Sequence, residues 1–420
     1  MADINSAVAV KDLPAVTGTF DITIPGFGTP KAAVFFLSNG QSDGTVADDS
    51  KLSIGFTDGT NHRVISAQDE DGVTTTANDR IAATDEVLQL LDTAGVILIE
   101  ANFDSWITDG VRLNVGAEST AVTRRLTVWF FGGGDLTAFV GSKVLGNEDV
   151  TATVTGVGFE ADALITICHG AIFNDTAGAF NVVSFGAVHN GASVIQRGIS
   201  YGSNDAVAAQ DLGGILHTNG CGGQTIWTGV TWRADVSNFG SDGFDITPRG
   251  GNSGGDELGF LALNIGTGSC KLDTYSTATS EGNDSVTGMG FEPQAVLLST
   301  IKHQTVDDFQ NGAPFEGFCI GVFDSSTERT TMVNVDEGET TTNTFSVADA
   351  LCIDLDFGSG SGPFITASFV SLDSGGFTLN YSTVDVTARK GWYLAFEKNI
   401  TGHIPLQRKR IKYEILHNRS

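Results

Sequence analysis

No run in this chain is long and apolar enough to form a membrane-spanning helix, so a bilayer span is not expected. Residues 1–13 carry Asp3 and lack an apolar h-region. They do not read as a secretory leader, and the chain is expected to be made in a cytoplasm. Cysteine is scarce: Cys168, Cys221, Cys270, Cys319 and Cys352 are far apart, odd in number and unpaired by any CxxC spacing. That excludes a disulfide framework or a structural zinc, and the five thiols read as small buried hydrophobes. Positive charge is also short, with 23 Lys and Arg against 50 Asp and Glu and a net charge of −27. Such a body repels polyanions, so direct nucleic-acid binding is not expected. There is no Gly-x-Ser-x-Gly elbow, no His-Glu-x-x-His helix and no EF-hand loop. No catalytic residue, cofactor site or metal ligand is assigned.

What the chain does have is glycine (53 residues, against 8 prolines) and phenylalanine (27, against 5 tyrosines and 5 tryptophans). Gly, Thr, Ser, Asp and Asn separate short apolar runs, which is the pattern of an all-β chain with many turns. In the last third, residues 295–300, 318–323, 330–335, 365–370, 376–381 and 392–396 each read as a strand. One segment, Thr84-Asp-Glu-Val-Leu-Gln-Leu-Leu, opens like a capped helix with acids in its first turn, and a strand there is equally open.

One stretch occurs three times: Pro25-Gly-Phe-Gly-Thr-Pro30, Thr155-Gly-Val-Gly-Phe-Glu and Thr287-Gly-Met-Gly-Phe-Glu. Aligned on Phe27, Phe159 and Phe291, the period is 132 residues. Further blocks follow in the same order. Ile54-Gly-Phe-Thr-Asp matches Ser184-Phe-Gly-Ala-Val-His and Ile320-Gly-Val-Phe-Asp, and Asp109-Gly-Val matches Asp242-Gly-Phe and Gly375-Gly-Phe. A closing apolar strand holds Trp129 in the first copy and Trp392 in the third. The expectation is three tandem β-sandwich domains of jelly-roll type, each large enough to bury its own core. They span residues 16–150, 151–283 and 284–398, between a leader at 1–15 and a basic tail at 399–420. Strung end to end they would make a rod of roughly 100 Å.

The candidate contact residues lie outside that frame. The tail holds Arg408, Lys409 and Arg410, followed by an alternation of Ile411, Tyr413 and Ile415, which suits either a strand added to a neighbour's sheet or a disordered end. It carries a net +4 while the remainder carries about −31. Two Gly-rich stretches, 213–225 and 249–256, read as surface loops. Beside them, Trp227 and Trp232 are candidates for stacking on a glycan. The acidic runs at Asp69, Glu70 and Asp71 and at Asp336 and Glu337 read as solvated turns, and His62 and His189 as polar-loop histidines.

The signature Gly290-Phe-Glu-Pro-Gln-Ala-Val, closed some 100 residues later by an aromatic strand, resembles repeats of bacteriophage structural proteins. The second copy departs from it, with Ala161 at the proline position. The resemblance implies a non-enzymatic virion component, part of a tail fibre, a tail tip or a capsid decoration. Its partners would be other virion proteins and further copies of itself as a homo-oligomer, with a host-surface glycan as a further candidate. Two other classes stay open. A carbohydrate-binding module array would need aligned exposed aromatics in every copy. A glycan depolymerase would need an acidic pair lining a groove.

Overall fold

The structure is a computed structural model that describes residues 4–118, 122–226, 228–251, 254–266, 268–311, 315–336, 340–356 and 363–398. Among these residues there is no helix, and the regular structure is antiparallel β throughout. The first unit contains β1 (Asn5–Leu13), β2 (Gly18–Thr23), β3 (Ala32–Ser38), β4 (Ala47–Asp48), β5 (Ser50–Thr57), β6 (His62–Asp69), β7 (Asn78–Ala83), β8 (Glu86–Leu91), β9 (Ile97–Ile107), β10 (Gly110–Glu118) and β11 (Arg124–Gly132). Six of them form a large sheet in the order β1-β11-β3-β5-β6-β7, and β2-β10-β9-β8 form a small one. The same two orders occur twice more. The second large sheet runs Thr137–Val144, Glu257–Asn264, Ala163–Cys168, Asn181–Asn190, Val194–Ser203, Leu212–His217. The third runs Cys270–Ser276, Lys390–Glu397, Pro293–Ile301, Phe315–Asp324, Glu328–Asp336, Thr344–Asp349.

Each large sheet gains a seventh strand from a different unit. Gly178–Ala179 pairs with β7, Gln310–Asn311 with Leu212–His217, and β4 with Thr344–Asp349. The donations run second to first, third to second and first to third, so they close a ring. Each donated strand pairs with two residues of the six-residue edge strand it meets and so covers part of that exposed row of backbone groups. The expected rod is therefore replaced by a cyclic arrangement with pseudo-threefold symmetry.

Burial explains why the units gather. Side chains alternate across a strand, and β3 is buried on both faces. Ala32, Val34 and Phe36 enter one central core shared by all three units, while Ala33, Phe35 and Leu37 enter a core private to the first unit and its small sheet. The second and third units have private cores of their own. Aromatic contacts close the central core around the ring. Phe36 meets Phe185 edge-on at 5.8 Å, Phe185 meets Trp392 at 5.5 Å, and Phe396 meets Trp129 at 5.6 Å.

Several expectations change here. Residues 5–13 are no leader: β1 pairs with β11 along its whole length. By sheet membership the units begin at Asn5, Thr137 and Cys270, upstream of the boundaries read from the repeat. The helix-like segment is strand β8, with all six residues buried, because apolar residues on both faces suit a strand packed between layers. The Gly-rich stretch 213–225 is not a single surface loop, although Asn219 within it is exposed. It supplies most of Leu212–His217 and Gly223–Ile226, and Gly220 and Gly222 are buried between the sheets. The six strands expected in the last third all lie within observed strands.

The repeated motifs acquire physical reasons. The Gly-x-Gly pairs Gly26/Gly28, Gly156/Gly158 and Gly288/Gly290 all have φ between 81° and 89°, the left-handed region that glycine adopts freely. Aligned on these turns, Phe27 corresponds to Val157 and Met289, which plug the three private cores. Phe159 and Phe291 sit two positions further on and are half-buried. Trp129 and Trp392 are likewise offset: register places Leu394, not Trp392, in the column of Trp129. Both indoles are nonetheless in the central core.

Candidate functional site

The chemistry of this molecule concentrates at the junctions between units. Three positions after Gly55, Gly186 and Gly321 stand Asp58, His189 and Asp324. Each reaches the first strand of the next unit around the ring. Asp58 Oδ2 accepts the Val140 amide at 2.7 Å, and Asp324 Oδ2 accepts the Val8 amide at 2.8 Å. At the remaining junction His189 Nδ1 lies 2.9 Å from Cys270 Sγ. The glycines themselves are fixed by packing. A Cβ at any of them would run into a carbonyl oxygen of the small-sheet layer, that of Val87, Cys221 or Cys352.

A second column holds Arg63, Arg197 and Arg329, one residue before the cross-strand partners of those glycines. Arg63 Nε donates to Ser142 Oγ at 2.8 Å, Arg197 Nη2 contacts Asp273 at 3.4 Å, and Arg329 Nη1 pairs with Asp43 at 3.1 Å. Each contact crosses a junction. The residue before each arginine couples the two sheets of its own unit. Gln196 Oε1 accepts the Val236 amide at 2.7 Å, Glu328 Oε2 accepts the Phe369 amide at 2.5 Å, and His62 stacks on Phe103 at 5.4 Å. His62 and His189 thus occupy different columns and both are half-buried, contrary to the solvated-loop reading.

The first junction buries an acid. Asp69 is fully enclosed and accepts hydrogen bonds from Asn181 Nδ2 and Ser203 Oγ of the second unit. Burial drives its pKa up to about 7, the two hydrogen bonds oppose that, and nearby Asp205 and Asp79 add to it. Asn78 Nδ2 completes the network by donating to Ser203 Oγ at 3.0 Å and to the Asn204 carbonyl at 2.5 Å. Asp71 reaches the other neighbour, accepting the Thr344 amide at 2.8 Å. Asp69 is therefore no solvated turn residue, and neither is Asp336, which is buried with Asn334 and Asn343 on its carboxylate. Glu337 lies outside the described residues.

The Cys270–His189 pair sets a thiol beside an imidazole. Burial pushes the thiol well above its ordinary range. Burial also lowers the imidazole, partly offset by a hydrogen bond to the Asp162 backbone. Both groups are held neutral, the opposite of the thiolate–imidazolium state an activated cysteine needs. The same positions carry Asp58 and Asp324 on one side and Ser6 and Ala138 on the other, so the pair is a variant of the junction contact.

Trp232 is not exposed. It lies in the second private core, and its Nε1 donates to Asp256 at 2.5 Å. The alternation Trp232, Ala234, Val236 along Gly229–Gly240 is the signal that puts it inside. Trp227 and the tail residues Arg408, Lys409, Arg410, Ile411, Tyr413 and Ile415 lie outside the described residues. The five cysteines are buried and free. Among the described residues no group of three or more His, Cys, Asp or Glu side chains is placed to hold a metal. The arginine column escaped the sequence reading because its neighbours differ in every copy: His-Arg, Gln-Arg and Glu-Arg. Comparison with family models, with curated proteins and with solved structures finds no match.

Proposed function

We propose that this chain is a non-enzymatic structural component of a bacteriophage virion, assembled with other virion proteins and meeting the host surface. The observation that carries the reading is the closed ring. Three units exchange edge strands and share one core, which suits a rigid load-carrying block. A block of that shape fits a tail tip or a capsid decoration better than a long fibre shaft. Its acidic body favours solubility at high copy number. The test is localisation on intact particles. Antibody label or difference density against this chain is expected at a fixed site on the particle, and its absence from purified virions would reject the reading. Release of reducing sugar from host polysaccharide by the purified chain would instead favour the depolymerase class.

A further inference from the structure

Arg233 stands, with Arg80, apart from the other described arginines. Register aligns Ala101, Ala234 and Ala367, so the preceding column reads Glu100, Arg233, Thr366. Only the second unit has a cation there. Most other described arginines meet acids: Arg112 with Asp21, Arg125 with Asp12 and Asp43, Arg249 with Asp149 and Asp235, Arg389 with Asp385. Arg233 makes no side-chain hydrogen bond or ion pair among the described residues, and its Nε is buried without a partner. In a chain of net charge −27, a guanidinium left without an acid stands out.

Arg233 lines a cleft of about 330 Å³ together with Arg197, Asn219, Asp235, Val194 and Ile195. The acid in that wall is already committed. Asp235 Oδ1 takes Gln196 Nε2 at 2.8 Å, and Oδ2 takes Arg249 at 3.1 Å. Arg197 is committed as well, its Nη1 donating to the Gln196 and Thr218 carbonyls at 2.7 Å and its Nη2 meeting Asp273 at 3.4 Å. Buried beside the cleft, His217 has a pKa lowered to about 4 by burial, with Asp307 opposing and Arg233 reinforcing that shift, so at neutral pH it adds no charge. The wall thus offers the guanidinium of Arg233, the exposed side chain of Asn219, and the exposed Val194.

We infer that this cleft binds the carboxylate of a single acidic sugar residue, with Arg233 on the carboxylate and Val194 against the C–H face of the ring. The volume sits at the small end for ligand sites, which fits one ring. The planar guanidinium matches a carboxylate through paired hydrogen bonds. The inference concerns the cleft alone and stands whether or not the chain belongs to a particle.

Calorimetric titration of the full chain with glucuronate, N-acetylneuraminate, glucose and sodium sulfate, at matched ionic strength, tests it. At least one acidic sugar is expected to bind at least tenfold more tightly than glucose and than sulfate. Arg233→Ala is expected to lose at least tenfold, and Arg112→Ala, an exposed pair remote from the cleft, to lose nothing. Asn219→Asp adds a negative charge at the exposed rim without touching the core, and is expected to weaken binding several-fold even if Arg233→Ala folds poorly. Failure of both acidic sugars to bind, undiminished binding by both cleft variants, or sulfate binding as tightly as the sugars would each overturn the inference.

Discussion

The two faces of each large sheet do different jobs. The outer face packs on its own small sheet and belongs to one unit, whereas the inner face belongs to the ring. The same strand serves both, with Phe35 facing outward and Phe36 inward one residue apart. A unit of about 130 residues has enough chain to bury a core. It does not follow that the unit is self-sufficient, because here a whole apolar face is left for its neighbours to cover.

The largest effect should come from separating the units. A fragment of residues 4–136 exposes its inner face and loses the strand that Gly178–Ala179 lends to β7. It is expected to aggregate or stay unfolded where the full chain is soluble, as read by sedimentation and circular dichroism. A soluble, cooperatively melting fragment would show that the private core alone is enough.

Next come single truncations on the two faces. Phe36→Ala and Phe35→Ala should each cost about 3–5 kcal/mol in denaturant unfolding. They should differ in their coupling. Combined with Phe185→Ala, the inward Phe36 is expected to show an interaction of about 0.5–1.5 kcal/mol, and the outward Phe35 close to none. Equal coupling for the two would erase the distinction between the faces.

The junction acid gives a pH signature of a few kcal/mol. The pKa of Asp69 is raised in the folded state, so folding takes up a proton between its unfolded pKa near 4 and its folded pKa near 7. The stabilising contribution of that proton is full below about pH 4 and lost as pH rises through about 7. Asp69→Asn is expected to be more stable than the parent at pH 8 and to lose the advantage at pH 4, with Asn181 turning its unpartnered Oδ1 toward the new amide. Thermal melts that shift equally at both pH values would remove Asp69 as the cause.

Smallest is the sheet-to-sheet contact. A methyl at Gly55 meets the Val87 carbonyl on the outer side of the sheet. Gly55→Ala should cost about 1–3 kcal/mol through overpacking, with Gly186→Ala and Gly321→Ala close behind. A neutral result in all three would mean the small sheets ride loosely on the large ones.

Much of this was legible one strand at a time. Alternation and turn residues marked the strands of the last third, and the recurring Gly-x-Gly and single glycines marked positions where backbone or packing tolerates no side chain. The misreadings share a cause. Residues 86–91 look helical and residues 213–217 look like loop when judged alone, yet each lies in a buried strand held between layers that come from distant parts of the chain. Trp232 was legible by alternation, whereas the burial of Asp69 was not, because its partners Asn181 and Ser203 lie more than 100 residues away.

The amino-acid sequence by itself determined the all-β class, the spacing of the repeated blocks and the strong acidity, since these depend on local pattern and composition. Only the tertiary structure decided that the large sheets close into a ring, which residues cross the junctions, and that Arg233 meets no acid among the described residues. Those outcomes depend on long-range pairing, where a two-residue strand or a single carboxylate meets a partner that no local window contains.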